Sequence, residues 1–175
     1  MSAQKIVIRT IPSKDKGACM LNVSIPGYKD LKIENAVFDF NGTIATGGKL
    51  SNAFKTRMPE IKEKLNVYIL TSDTFGTVAA QCDGLGINIK VLDGDNACAL
   101  KGDFVRQLGA SHTVCIGNGN NDIDMFRECA LAILIMGEEG CSAKALPFAD
   151  IVVKNIEDAL SLLTDPTRII ATLRG

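Results

Sequence analysis

Short, nearly unbroken apolar runs stand at residues 36–40, 67–70, 87–92, 113–116, 131–136 and 150–153, and they read as buried strands. The segments between them carry apolar residues three and four apart. Residues 53–65 place Phe54, Met58, Ile61 and Leu65 on one helical face, with Ser51 and Asn52 positioned to cap it. Residues 74–82, 97–108 and 122–130 read as further helices, the second of them stopped by Gly109. Helices over 156–163 and 166–173 close the chain, with Pro166 placed as a first-turn proline. Residues 20–24 and 31–33 flank Ile25-Pro26-Gly27 and pair as a hairpin.

Apolar strands alternating with helices specify an α/β fold, a doubly wound parallel sheet in three α/β/α layers. The core domain is read over residues 36–175, and residues 1–35 form an N-terminal extension with a β-hairpin. Open parallel sheets collect their sites at the carboxyl ends of the strands. Three of those ends carry polar residues suited to phosphate: Asp39 to Thr43, Thr71 to Asp73, and Gly117 to Asp122.

Asp39 ends a buried strand between Phe38 and Phe40, where a carboxylate is costly unless partnered. A carboxylate so placed can attack phosphorus and split one hard displacement into two easier ones. The turn amides around Gly42 and Thr43, with the hydroxyls of Thr71 and Ser72, can hold phosphoryl oxygens. Lys101 can neutralise growing charge. The run GNGNND offers side-chain oxygens of Asn118 and Asp122 to a hard cation such as Mg²⁺. Taken singly, Asn41-Gly42 and Asn118-Gly119 are ordinary turn dipeptides, and Lys101 is an ordinary solvated lysine. Their order and spacing together make the signal.

Composition narrows the partners. The chain has 175 residues, enough for one domain with a real core, and 46% of them are hydrophobic. Nineteen basic residues balance 20 acidic ones, so no nucleic-acid partner is expected. No apolar run approaches the roughly 18 residues that span a bilayer. Residues 1–16 carry no secretory pattern, so a cytoplasmic protein with no membrane partner is expected. The six cysteines (Cys19, Cys82, Cys98, Cys115, Cys129, Cys141) form no Cys-x-x-Cys pair and lie away from His112. They read as reduced, mostly buried thiols rather than a zinc site.

The motif set resembles the haloacid dehalogenase superfamily across roughly residues 36–153. The family's DxDGT is matched by Asp39-Phe40-Asn41-Gly42-Thr43, and its strand-ending Thr or Ser by Thr71. Its lysine is matched by Lys101, and its GDGxxND by Gly117-Asn118-Gly119-Asn120-Asn121-Asp122. The resemblance implies an Mg²⁺-dependent phosphohydrolase or phosphoryl-transfer enzyme with Asp39 as nucleophile. Asn41 then occupies the acid–base position, Lys101 acts beside them, and Gly42, Thr43, Thr71 and Ser72 bind the phosphorylated substrate. Asp39, Asn41, Asn118 and Asp122 are the implied metal residues. Thr71-Ser72-Asp73 and GNGNND also look like P-type ATPase phosphorylation domains and the small soluble proteins named after them.

Two amides depart from the pattern. Asn41 cannot exchange a proton as a carboxylate does, a service that typically contributes about 10²–10⁴ in rate. Asn118 removes one negative charge from the metal position. These amides favour the alternative of a catalytically impaired phosphate- or metal-binding regulatory protein. A third reading is an unrelated doubly wound domain, in which Asp39, Thr71, Lys101 and Asp122 would not converge. A dinucleotide site is ruled out by the lack of a G-x-G-x-x-G after the first core strand. About 28 residues separate Thr43 from Thr71 and about 30 separate Thr71 from Lys101, which leaves no room for a cap domain. Capless relatives act on large substrates or borrow a lid, so a homo-oligomer or a macromolecular substrate is expected. Residues 2–35 would supply that contact, a hairpin lid, or a sheet-edge extension.

Overall fold

A computed structural model describes residues 20–72, 77–92 and 96–175 and the backbone of residues 8–9. Asp73, Cys19, the opening of the helix expected at 74–82 and most of residues 1–19 lie outside the described residues. In chain order the strands and helices are β1 (Ile8–Arg9), β2 (Leu21–Ser24), β3 (Asp30–Ile33), β4 (Asn35–Asp39), β5 (Ala45–Thr46), β6 (Lys49–Leu50), α1 (Asn52–Lys64) and β7 (Asn66–Thr71). They continue with α2 (Thr77–Gln81), β8 (Asn88–Val91), α3 (Ala97–Gly109), β9 (Thr113–Gly117), α4 (Ile123–Glu128), β10 (Leu131–Ile135), β11 (Ile151–Val153), α5 (Ile156–Thr164) and α6 (Thr167–Leu173).

The main sheet runs β1-β8-β7-β4-β9-β10-β11. Its neighbours from β8 to β11 are parallel, and β1 lies antiparallel on the β8 edge. Central β4 is buried along its whole length, and its side chains alternate between two cores. Ala36 and Phe38 join Phe54, Met58 and Ile61 of α1 and Leu160 and Leu163 of α5. Phe38 meets Phe54 edge-on at 5.3 Å, and burial of each ring is worth about 1.5–3 kcal/mol. Val37 faces the other way, toward Val105 of α3 and Met125 of α4. Asp39 has the parity of Val37, so it emerges on the α3–α4 side.

Four local expectations change. Ser51 occupies the cap position of α1, but its hydroxyl makes no cap bond. Pro166 sits at the cap of α6, one position before the first turn. A small hairpin, β5–β6, follows the Asp39 turn where no strands were expected. The β2–β3 hairpin packs Leu21, Val23, Leu31 and Ile33 into the same core as α1 and α5, so residues 20–35 share the core of the main domain.

The hairpin's position corrects the lid expectation. Its exit residue Glu34 donates from its backbone N–H to the carbonyl of His112, just before β9 begins (2.9 Å), and Tyr28 Oη donates to Asp150, just before β11. It therefore sits at the amino ends of the strands and does not cover Asp39 of its own chain. The β1 pairing adds the sheet-edge extension instead. Cys82, Cys98, Cys115, Cys129 and Cys141 are free thiols. Among the described residues no helix is long and apolar enough to cross a membrane.

Candidate active site

Strand register assembles the site. Asp39 pairs with Leu70 across β7, which places Thr71 one step beyond it. Phe38 pairs with Ile116 across β9, which places Asp39 beside Gly117. The chain then turns sharply: the carbonyl of Phe40 accepts from the N–H groups of Ile44 (3.1 Å) and Ala45 (2.9 Å). Gly42 is essential to that turn. Its φ is +74°, and a Cβ there would stand 2.2 Å from Asn118 Nδ2.

Lys101 comes from α3, on the side toward which Asp39 points. Its ammonium donates to Asp39 Oδ1 (2.5 Å) and Asp122 Oδ1 (2.6 Å), and all three side chains are buried. Asp122 Oδ2 accepts from the backbone N–H groups of Asn118 (3.0 Å) and Gly119 (2.8 Å). Gly117 makes room for this, since a Cβ there would lie 2.5 Å from Asp122 Oδ2. Thr43 Oγ1 lies 3.2 Å from Asp39 Oδ2 and 3.3 Å from Asn118 Oδ1.

Thus Asp39, Thr43, Lys101, Asn118 and Asp122 converge, as the phosphate-site reading requires and the unrelated-domain reading does not. Gly42 packs on Asn118, buried Thr71 ends the neighbouring strand, and exposed Ser72 follows it. Asn41 is exposed at the turn. Asp122 also has a structural part in the site. Its Oδ1 accepts from Lys101 and its Oδ2 from the Asn118 and Gly119 amides, so it holds the lysine and the turn in place while Oδ1 keeps a second lone pair.

The charge balance is uneven, because two buried carboxylates share one ammonium. Burial, reinforced by the Asp122 charge, pushes the Asp39 carboxyl up from 3.8 to about 6, although Lys101 pulls it down. Burial works against a charged Lys101, but Asp122 and Asp39 outweigh it and hold the amine above its ordinary value.

Among the described residues no three His, Cys, Asp or Glu side chains gather as a metal cluster. The donor set still fits a hard cation that keeps several waters. The surplus negative charge favours a cation, and Asn118 presents an oxygen to the site. Its amide orientation follows from its partner: Nδ2 donates to the carbonyl of Gly140 (3.1 Å), leaving Oδ1 toward Thr43 and Asp39.

That contact exposes a region the motif reading missed. The turn after β10 is tied to Asn118 twice, through Gly140 and through the Ser142 N–H donating to the Asn118 carbonyl (2.8 Å). It also reaches the β5–β6 hairpin, where the Gly47 N–H donates to Glu139 Oε1 (2.7 Å). Gln81 clamps the same hairpin through the Leu50 N–H and the Gly48 carbonyl. Gly137 and Gly140, following another strand's carboxyl end, were the available signal.

No family model matches the chain. An uncharacterized protein of Methanocaldococcus jannaschii is 46% identical over 61 residues, 35% of this chain and 66% of that protein. A soluble P-type ATPase-like phosphatase of the same organism is 28% identical over 123 residues, 69% of this chain and 45% of that protein. The chain thus spans about two thirds and under half of these relatives' lengths. The 3-deoxy-D-manno-octulosonate 8-phosphate phosphatase of Moraxella catarrhalis, solved with magnesium, phosphate and its sugar, superposes with a TM-score of 0.63 at 17% identity, covering 81% of this chain and 94% of that one. The chain therefore shares the fold of that phosphatase. Its sequence is similar to that of the soluble P-type ATPase-like phosphatase.

Proposed function

We propose that the chain is a divalent-metal-dependent phosphoryl-transfer enzyme, most simply a phosphatase, working through an aspartyl-phosphate on Asp39. The observation that carries this reading is the buried Lys101 bridging Asp39 and Asp122 at 2.5 and 2.6 Å. Burying two carboxylates and an amine is costly, and a chain keeps such a group for chemistry more readily than for stability.

In this reading an Asp39 oxygen attacks the phosphorus of a bound phosphate group. Thr43 orients the carboxylate, and Lys101 offsets the charge that builds on the transferring group. The turn amides at Gly42 and Thr43 and the hydroxyls of Thr71 and Ser72 hold phosphoryl oxygens. Asp39, Asn41, Asn118 Oδ1 and Asp122 would hold Mg²⁺. Bound there, the cation supplies charge neutralisation for two anionic partners. Water then attacks phosphorus and frees Asp39, a step made slow by the amide at Asn41.

The second reading, a phosphate- or metal-binding regulatory protein, draws on the amides at Asn41 and Asn118. The two are separated by incubating fresh protein with Mg²⁺ and para-nitrophenyl phosphate or acetyl phosphate, following product and intact mass. Release that disappears in Asp39→Asn supports the phosphatase. A mass gain on Asp39 without release supports a long-lived phosphoenzyme. Neither signal at saturating Mg²⁺ would leave only the binding reading.

A further inference from the structure

Granting the phosphoryl-transfer reading above, we propose that the donor is a phosphoric anhydride, an acyl phosphate or a polyphosphate, and not an alkyl phosphate ester. The argument begins with proton donors. Among the described side chains, those bonded to Asp39 are Lys101 and Thr43. Lys101 commits two of its three N–H groups to Asp39 and Asp122, whose charges hold it as the ammonium, and Thr43 spends its one proton on Asp39 or Asn118. The side chain in the turn itself is the Asn41 amide, which has no acidic proton. His112 lies at the amino end of β9, at the opposite edge of the sheet. Tyr28 is held there by Asp150, and Tyr68 is packed on Phe104 within the core. Glu139 is bound to the Gly47 N–H, and Cys98 donates to the carbonyl of Asn120.

The first step forms a bond from Asp39 Oδ to phosphorus and breaks the bond from phosphorus to the leaving oxygen. That oxygen takes the electron pair, and no proton arrives with it. A carboxylate or a phosphate leaves readily as the anion, whereas an alkoxide does not. The energetics agree, because the aspartyl-phosphate is itself a mixed anhydride. Anhydride donors form it at nearly equal free energy, while an ester must climb to it. In the second step water oxygen bonds to phosphorus, the bond from Asp39 to phosphorus breaks, and the water's proton passes to solvent.

The test is the first-turnover rate of leaving-group release with Mg²⁺, on acetyl phosphate, pyrophosphate, para-nitrophenyl phosphate, phenyl phosphate and glycerol 3-phosphate. Wild type should slow by at least about 100-fold from para-nitrophenyl phosphate to glycerol 3-phosphate, and Asn41→Asp should recover about 10²–10⁴-fold on the alkyl ester alone. Glu138→Gln, which removes an exposed carboxylate on the turn after β10, should leave the wild-type pattern unchanged. Equal rates on aryl and alkyl esters, parallel decline in wild type and Asn41→Asp, or a steeper decline in Glu138→Gln would each overturn the donor assignment. If release depends on Asp39 in those cases, the phosphoryl-transfer reading survives. Release that persists in Asp39→Asn, or none from any donor, would overturn both.

Discussion

Replacing Asp39 by an amide should stabilise the metal-free protein. Asp39 is buried, and its carboxyl is pushed from 3.8 to about 6 by burial and by the neighbouring Asp122 charge. A carboxyl raised in the folded state holds its proton there more tightly than in the unfolded chain. Folding therefore takes up a proton between pH 3.8 and about 6, and stability falls as pH rises through that window. At 1.36 kcal/mol for each pH unit, the loss is about 3 kcal/mol by pH 7. Asp39→Asn keeps the shape and an acceptor for Lys101, leaves Lys101 balanced by Asp122, and removes the charge that must be buried.

The assay is urea unfolding of wild type and Asp39→Asn in chelator from pH 4 to pH 8, with thermal melts beside it. At pH 7.5 the variant should be more stable by about 3 kcal/mol, or roughly 6–12 °C in Tm for a chain of this size. The wild-type decline between pH 4 and pH 7 should flatten in the variant. Adding Mg²⁺ should close most of the gap, because a ligand at 100 times its Kd stabilises by about 2.7 kcal/mol and the variant binds it poorly. A variant equal to or weaker than wild type at pH 7.5 in chelator would refute the reasoning. It would mean that Lys101 compensates both carboxylates fully.

Lys101→Met should cost about 3–5 kcal/mol in urea unfolding at pH 7.5, since it strands two buried carboxylates, and adding Asp39→Asn to it should restore much of the loss. Gly42→Ala should lose about 1–3 kcal/mol from the left-handed turn alone, and the 2.2 Å approach to Asn118 should abolish any mass gain on Asp39. Burial pushes the Cys82 thiol up to about 11, so native protein at pH 8 should leave buried Cys82 unalkylated while the half-buried Cys141 reacts, as peptide mass mapping would show.

The central strands were legible because β4, β9 and β10 are covered on both faces and so become uninterrupted apolar runs. The site followed from looking only at their carboxyl ends. Lys101 looked like a surface lysine, yet it precedes Val105 by four residues and Leu108 by seven, which is the inward face of α3. Helical spacing alone is enough to put it on the buried side. The β5–β6 hairpin was harder, because strands of two residues carry no alternation and only Gly47-Gly48 marks the turn. The β2–β3 hairpin was read correctly as a pair, but its location depends on Glu34 meeting His112, a contact 78 positions apart that no local pattern encodes.

The amides that looked like defects in the motif make sense against the charge of the assembled site. Asp39 and Asp122 already exceed the one ammonium between them by a full negative charge, and the cost is visible in the raised Asp39 carboxyl. Carboxylates at both 41 and 118 would bring the surplus to three. Position 118 is the more constrained, since a carboxylate oxygen in place of Nδ2 would face the Gly140 carbonyl at 3.1 Å, acceptor against acceptor. An amide there satisfies Gly140, keeps an oxygen toward Thr43, and ties the turn after β10 to the loop after Asp39. Restoring the acid at 118 would therefore remove a link between two segments of the site, whatever it adds in affinity for a cation. Position 41 is exposed and its side chain has no such tie among the described residues, so Asn41 is where an acidic group can be introduced with least disturbance to the scaffold.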